Sequence, residues 1–194
     1  MTPEGRFKRN YYEVQRPVSV EVDQTGFIVA DSEGYKIKKF DFSGRLLYGA
    51  GTKGTERGQF MRLSGIGLSP QGEIYAADSR KNTIQIFVPE KLPIPLIEPA
   101  PNMESVNYLH LVNTKAADLC WHGNLLYAVS PDDNVIYVIE GNSIKRIIAG
   151  KDRFRLKSPS GIAVDRDGFI WVSDTGNDRL VKFRDDGTPV AEYG

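Results

Sequence analysis

Ser158 to Gly194 reads SPSGIAVDRDGFIWVSDTGNDRLVKFRDDGTPVAEYG, and this stretch decides the fold. It holds four short apolar runs, Gly161–Val164, Phe169–Val172, Arg179–Phe183 and a weaker Pro189–Tyr193. Turn clusters separate them: Asp165-Arg166-Asp167-Gly168, Asp174-Thr175-Gly176-Asn177 and Arg184-Asp185-Asp186-Gly187. Short runs rich in β-branched and aromatic residues, bounded by Gly, Asn and Asp, predict a tight antiparallel meander. Its length is that of one four-stranded propeller blade.

The remainder of the chain carries copies of this unit. In Arg16–Gly49, Pro17 matches Pro159, Val22-Asp23 matches Val164-Asp165, and Gly26-Phe27-Ile28 matches Gly168-Phe169-Ile170. Dropping one residue from the second strand then sets Ala30-Asp31 on Ser173-Asp174. Leu63–Phe87 is a second copy, with Gly65-Ile66-Gly67-Leu68 on Gly161-Ile162-Ala163-Val164 and Asn82 on Asn177. Ala116–Ile139 is a degenerate third, with strands at Ala117–Trp121, Leu125–Val129 and Val135–Ile139. The turn residue recurs at Asp31, Asp78, Ser130 and Asp174, so the steps are 47, 52 and 44 residues. A period of roughly 40–50 residues with four strands per unit is that of a propeller.

The pattern P-x-G-I-A-V-D-x-D-G-x-I-W-V-x-D-T-G-N-x-R-L-x-K-F resembles the NHL repeat. Asn177, Asp178 and Leu180 fall on its name positions, with Asp where the family has His. The resemblance implies an all-β fold: a β-propeller of four-stranded antiparallel blades, most commonly six in this family. It runs through residues 1–194 as a single domain and is weakest over 89–124. About four repeats are visible, each with three inner strands ending at Phe40, Phe87, Ile139 or Phe183. Outer strands are expected at Arg45–Gly49, Ser143–Ala149 and Thr188–Tyr193, with further candidates at Phe7–Tyr12 and Leu92–Ile97. Three architectures fit this count: part of a longer propeller, a closed four-blade ring, or part-rings that complete one another by self-association. The Pro-rich stretch Pro89–Asn113 should supply one outer strand and an extended rim loop, because proline is excluded from central strands.

Composition narrows function more than it names it. The chain has 194 residues, 40% hydrophobic and 26% charged, with formal net charge +0. That is a globular composition without a global field to attract nucleic acid or an anionic membrane. One cysteine, Cys120, rules out an internal disulfide framework. No apolar run reaches a membrane span, the first residues lack a signal-peptide core, and a cytoplasmic location is the default expectation.

Chemistry is sparse in the sequence. Asp31, Asp78 and Asp174 recur blade by blade, which points to turn hydrogen bonding, since a site draws different residues from different blades. Asn82 and Asn177 suit left-handed turn positions. His110 and His122 are the only histidines, and Cys120 lies in an apolar strand before Trp121. A catalytic, cofactor or metal set is therefore not assigned. The candidate interaction site is a basic patch of Lys145, Arg146, Lys151, Arg153, Arg155 and Lys157.

For packing, Ile37, Ile84 and Ile86 should face neighbouring blades while the adjacent lysines and glutamine face out. Ile28, Ile74, Leu126 and Ile170 should form one ring of second-strand positions, with Tyr75, Tyr127 and Trp171 filling the space between blades. The reading of function is a non-catalytic propeller scaffold that binds a protein partner through its rim loops. A metal-dependent hydrolase or lyase-like propeller is the alternative, since related propeller lyases and lactonases gather ligands at the channel mouth. RNA binding through a basic rim is a lesser one.

Overall fold

The computed structural model describes residues 13–88, 104–109 and 115–194. Blade 1 comprises β1 (Pro17–Val22), β2 (Gly26–Asp31), β3 (Lys36–Asp41) and β4 (Leu46–Ala50). A linker with a small parallel pair, β5 (Thr52–Lys53) and β6 (Gln59–Phe60), leads to blade 2. That blade is β7 (Leu63–Leu68), β8 (Ile74–Asp78), β9 (Thr83–Val88) and β10 (Glu104–Leu109). Blade 3 is β11 (Asp118–His122), β12 (Leu125–Ser130), β13 (Val135–Glu140) and β14 (Ser143–Ile148). Blade 4 is β15 (Gly161–Val164), β16 (Ile170–Asp174), β17 (Arg179–Phe183) and β18 (Pro189–Tyr193).

Each blade is an antiparallel meander in sequence order, and the four stand in a ring as a four-blade β-propeller. The innermost strands β1, β7, β11 and β15 pack successively around the axis. Apart from the outer strand of blade 2, which runs over Glu104–Leu109, predicted and observed strands agree within about two residues. The outer strand of blade 2, β10, comes from the proline-free end of the Pro-rich stretch. The expected strands at Phe7–Tyr12 and Leu92–Ile97, and His110, lie outside the described residues.

Three apolar clusters fill the spaces between consecutive blades. Ile28, Ala30 and Ile37 of blade 1 meet Ile66, Ile74 and Phe87 of blade 2. Ala77 and Ile84 of blade 2 meet Leu119, Leu126 and Ile139 of blade 3. Tyr127, Val129 and Val138 of blade 3 meet Ile162, Ile170, Val172 and Phe183 of blade 4. Each such side chain contributes roughly 1.5–3 kcal/mol by leaving water. The seam between blades 4 and 1 is looser. Val18, Val20 and Val22 of β1 are 41%, 60% and 63% exposed, and Leu180 and Tyr193 of blade 4 are also exposed.

Packing corrects three expectations. Lys39 and Gln85 are buried, because a blade inside the ring is covered on both faces and its alternation has no solvent side. Lys39 Nζ pairs with Asp23 at 2.5 Å, and Gln85 exchanges hydrogen bonds with Gly58 N at 2.9 Å and Gln59 O at 2.8 Å. Ile28 does not share a face with Ile74. Phe27 pairs with Phe40 as Ile74 pairs with Phe87, so Phe27 takes that position and Ile28 turns toward blade 2. Trp171 stacks on Tyr193 of its own blade at 5.6 Å, whereas Tyr75 does bridge blades, edge-on to Trp121 at 5.0 Å.

Candidate interaction site on the blade 3–4 rim

The recurrent aspartates are structural clasps. Asp31 accepts from the backbone N–H groups of Gln15, Arg16 and Gly34 and from Lys38 Nζ. Burial alone would raise its carboxyl, but the Lys38 ammonium and those N–H groups outweigh burial and hold it at about 2. Asp78 accepts from the N–H groups of Met61, Arg62, Arg80 and Lys81. Asp174 takes Lys157 N at 2.7 Å, Asn177 Nδ2 at 2.8 Å and Arg179 Nε at 2.8 Å. Each aspartate thus ties its own turn to the linker that enters the blade. In the degenerate blade, the Ser130 hydroxyl exchanges hydrogen bonds with Asp133 inside its own turn. Asn82 has φ 54°, as expected of a left-handed turn residue. In blade 4 that conformation falls to Asp178 (φ 52°), because a 3-10 turn over Thr175–Asn177 displaces it by one.

The linker from β14 to β15 makes the described rim distinctive here. Gly150 has φ +67°, and a Cβ there would come 2.0 Å from Phe154 O, so only glycine permits the tight return that follows. Beyond it the chain is pinned almost residue by residue. Phe154 N donates to Lys151 O, Leu156 N to Ala149 O, Lys157 N to Asp174, and Ser158 N to Asn134 Oδ1 at 2.6 Å. Arg179 fastens the same segment from the other side: NH1 donates to Arg153 O at 2.7 Å and NH2 to Arg155 O at 3.1 Å. Leu156 is buried in the blade 3–4 core, and the charged residues beside it project outward.

The six predicted patch residues separate into groups. Arg153, Arg155 and Lys157 line one cleft of about 570 Å³, together with Asn134, Asp152, Leu156, Asn177 and Arg179. Arg146 and Lys151 line a second, of about 270 Å³, between β14 and the turn at Asp186-Gly187. Lys145 lines neither of these two clefts and pairs with Glu140 at 2.9 Å. Arg146 is engaged with the carboxylate and carbonyl of Asp185. Arg153 lies 3.9 Å from Glu192 and is largely exposed. Lys151, Arg155 and Lys157 are exposed and form no ion pair among the described residues. Sequence reasoning missed Arg179, Asn177 and Asn134 as cleft residues; the repeat made them look like ordinary turn and strand positions.

A second polar cluster lies at the axis. Ser19, Gly65, Asp118 and Gly161 occupy equivalent inner-strand positions, as do Glu21, Gly67, Cys120 and Ala163. Asp118 accepts from Ile162 N at 3.1 Å and from Ser19 Oγ at 3.4 Å, so blades 1, 3 and 4 meet on one carboxylate. Burial raises the carboxyl of Asp118. Burial, then the nearby Asp118, pushes Glu21 up to about 7. Burial pushes the Cys120 thiol up to about 11, which disfavours the thiolate. Among the described residues no three His, Cys, Asp or Glu side chains gather as metal ligands, and no helix is long and apolar enough to cross a membrane.

This geometry agrees with comparisons to known proteins. The family model described as NHL repeat matches residues 156–183, within the last linker and blade. No curated protein sequence matches the chain. Among solved structures, virginiamycin B lyase from Staphylococcus aureus is similar, with TM-score 0.66 and 15% identity over 92% of this chain and 55% of that one. A streptogramin B lyase gives TM-score 0.63 and 16% identity, covering 90% and 53%. Hydrazine synthase of Kuenenia stuttgartiensis gives 0.66 and 11%, covering 95% and 51%. The chain spans about half the length of these structures, and at such identities the likeness shows the fold alone. The chain is a four-blade β-propeller, and an NHL repeat is matched over residues 156–183, in its last linker and fourth blade.

Proposed function

We propose that this propeller is a non-catalytic scaffold that docks a protein partner on its rim, at the linker between blades 3 and 4. One observation carries the reading: Arg155 and Lys157 are exposed and form no ion pair among the described residues, beside a cleft whose backbone is fixed by Asp174, Asn177 and Arg179. Fixed backbone with free charged tips lowers the ordering cost of association and steers an oppositely charged partner. The test is quantitative recovery of partners by wild type and by an R153E/R155E/K157E variant, followed by binding of the purified pair. Recovery of the same partners, with the same affinity, by both proteins would overturn the proposal.

Self-association is a second partner reading, and the exposed Val18, Val20 and Val22 with Leu180 and Tyr193 favour it. Sedimentation across a concentration range tests it; a single monomeric species throughout removes it.

A further inference from the structure

We infer that the cleft between blades 3 and 4 receives an acidic peptide segment in extended form, seating carboxylate side chains against Arg155 and Lys157. The inference rests on the rim-docking proposal and names the chemistry of the partner. Charge comes first. Arg153, Arg155, Lys157 and Arg179 line the cleft against a single acidic lining residue, Asp152. Arg179 is committed to Asp174 at 2.8 Å and Glu192 at 2.5 Å, so it holds the loop and leaves the recognition to the other three. The whole chain is neutral, so this local excess of positive charge is a property of the cleft itself.

Spacing comes second. Over Arg153–Lys157 exposure alternates: the three cations are exposed, Phe154 is half-buried and Leu156 is buried. Arg155 and Lys157 therefore project from one side of the linker two residues apart. In extended chain that is roughly 6–7 Å, the repeat of alternate side chains in an extended ligand. Carboxylates at every second position of a peptide match it, and arginine offers a carboxylate two parallel donors. Asn134 adds a donor, because its oxygen is taken by Ser158 N and its NH2 group has no hydrogen-bond acceptor among the described residues.

Nucleic acid fits less well. Single-stranded nucleic acid is held by stacking of bases on aromatic faces as well as by charge. The cleft lining contains no aromatic residue, and the nearby Phe154 ring is covered by the Arg153 guanidinium at 4.8 Å. The preference is therefore for a flexible polyanion that needs charge and hydrogen bonds but no stacking surface.

The test is fluorescence anisotropy with a labelled alternating Glu-Ser peptide on the intact chain, at low and at physiological salt. Saturable binding that weakens with salt is expected, with a loss of about tenfold or more in R155E/K157E and a smaller loss in R155Q/K157Q. K36E, on blade 1 and outside the cleft lining, should bind as wild type. Unchanged melting temperatures show that the variants remain folded. Equal binding by wild type and R155E/K157E overturns the inference. So does tighter binding of an oligouridylate that the same variants abolish, which would assign the cleft to nucleic acid. Absence of peptide binding also overturns it, yet leaves rim docking standing if partner recovery still depends on Arg153, Arg155 and Lys157.

Discussion

Asp174 and Lys157 lie seventeen residues apart in sequence, yet the carboxylate of one accepts the backbone N–H of the other at 2.7 Å. The same carboxylate holds Asn177 and Arg179, which in turn bind the carbonyl of Arg155. A single fully buried group therefore joins the linker, the turn and the third strand of blade 4. Asp174→Ala leaves Lys157 N and the Arg179 guanidinium without that acceptor. Each partly buried partner left without its acceptor costs about 1–3 kcal/mol, so a loss of roughly 2–4 kcal/mol is expected by urea denaturation. A loss under about 0.5 kcal/mol would show that the clasp is dispensable.

At the axis, stability should depend on pH through Glu21. Its folded value of about 7 lies above its ordinary value of 4.5, because burial and the neighbouring Asp118 favour the protonated form. The folded state therefore binds the proton more tightly than the unfolded chain. The favourable contribution is complete below about pH 4.5 and is lost as pH rises through about 7. Glu21→Gln removes this dependence. It should match wild type near pH 4 and exceed it by about 1–3 kcal/mol at pH 8, after allowance for partial exposure. Parallel stability curves for the two proteins over that range would refute the axial coupling.

The repeats made the blades legible because each copy repeats the same inner-strand and turn chemistry. They also gave the role of the aspartates, since recurrence distinguishes architecture from a site. What failed depended on relations between blades. Ile28 takes the opposite face from Ile74 because the residue missing from blade 1 falls before its second strand and not inside it, and in β-structure a one-residue slip reverses every side chain. Lys39 and Gln85 read as surface residues because alternation presumes a solvent face that a sandwiched blade lacks. Asp118 and Glu21 were invisible as a pair because they are 97 residues apart and meet only where inner strands converge. The basic patch was legible as a run, but the return at Gly150 sends Arg146 and Lys151 into one cleft and Arg153, Arg155 and Lys157 into another.

Lys39 offers a test of how the buried charges are supported. Its ammonium is 2% exposed and pairs with Asp23 on the preceding hairpin at 2.5 Å. Removing the carboxylate strands a charge in the blade, so Asp23→Ala should cost about 3 kcal/mol or more. Lys39→Met, which removes the charge and keeps the length of the stem, should be neutral or stabilising by comparison. The double variant should recover most of what Asp23→Ala loses. If Lys39→Met were the more damaging single change, the pair would be a net source of stability.

Gly65 sets how closely the inner strands of blades 2 and 3 approach. A Cβ built there lies 2.8 Å from the Cα of Asp118 and 2.9 Å from Ala117 O, both backbone atoms that no side-chain rotation can move. Its equivalent in blade 4, Gly161, faces Ser173 Oγ at 3.1 Å, a side-chain atom that is able to turn aside. The two glycines thus differ although the repeat places them identically. Gly65→Ala should cost about 1–3 kcal/mol by pushing β7 from β11, and should loosen the Asp118 network at the axis. Gly161→Ala should cost well under half as much. Denaturant titrations of the two variants decide the matter, and equal losses would mean that close approach of strands is not what the first glycine provides.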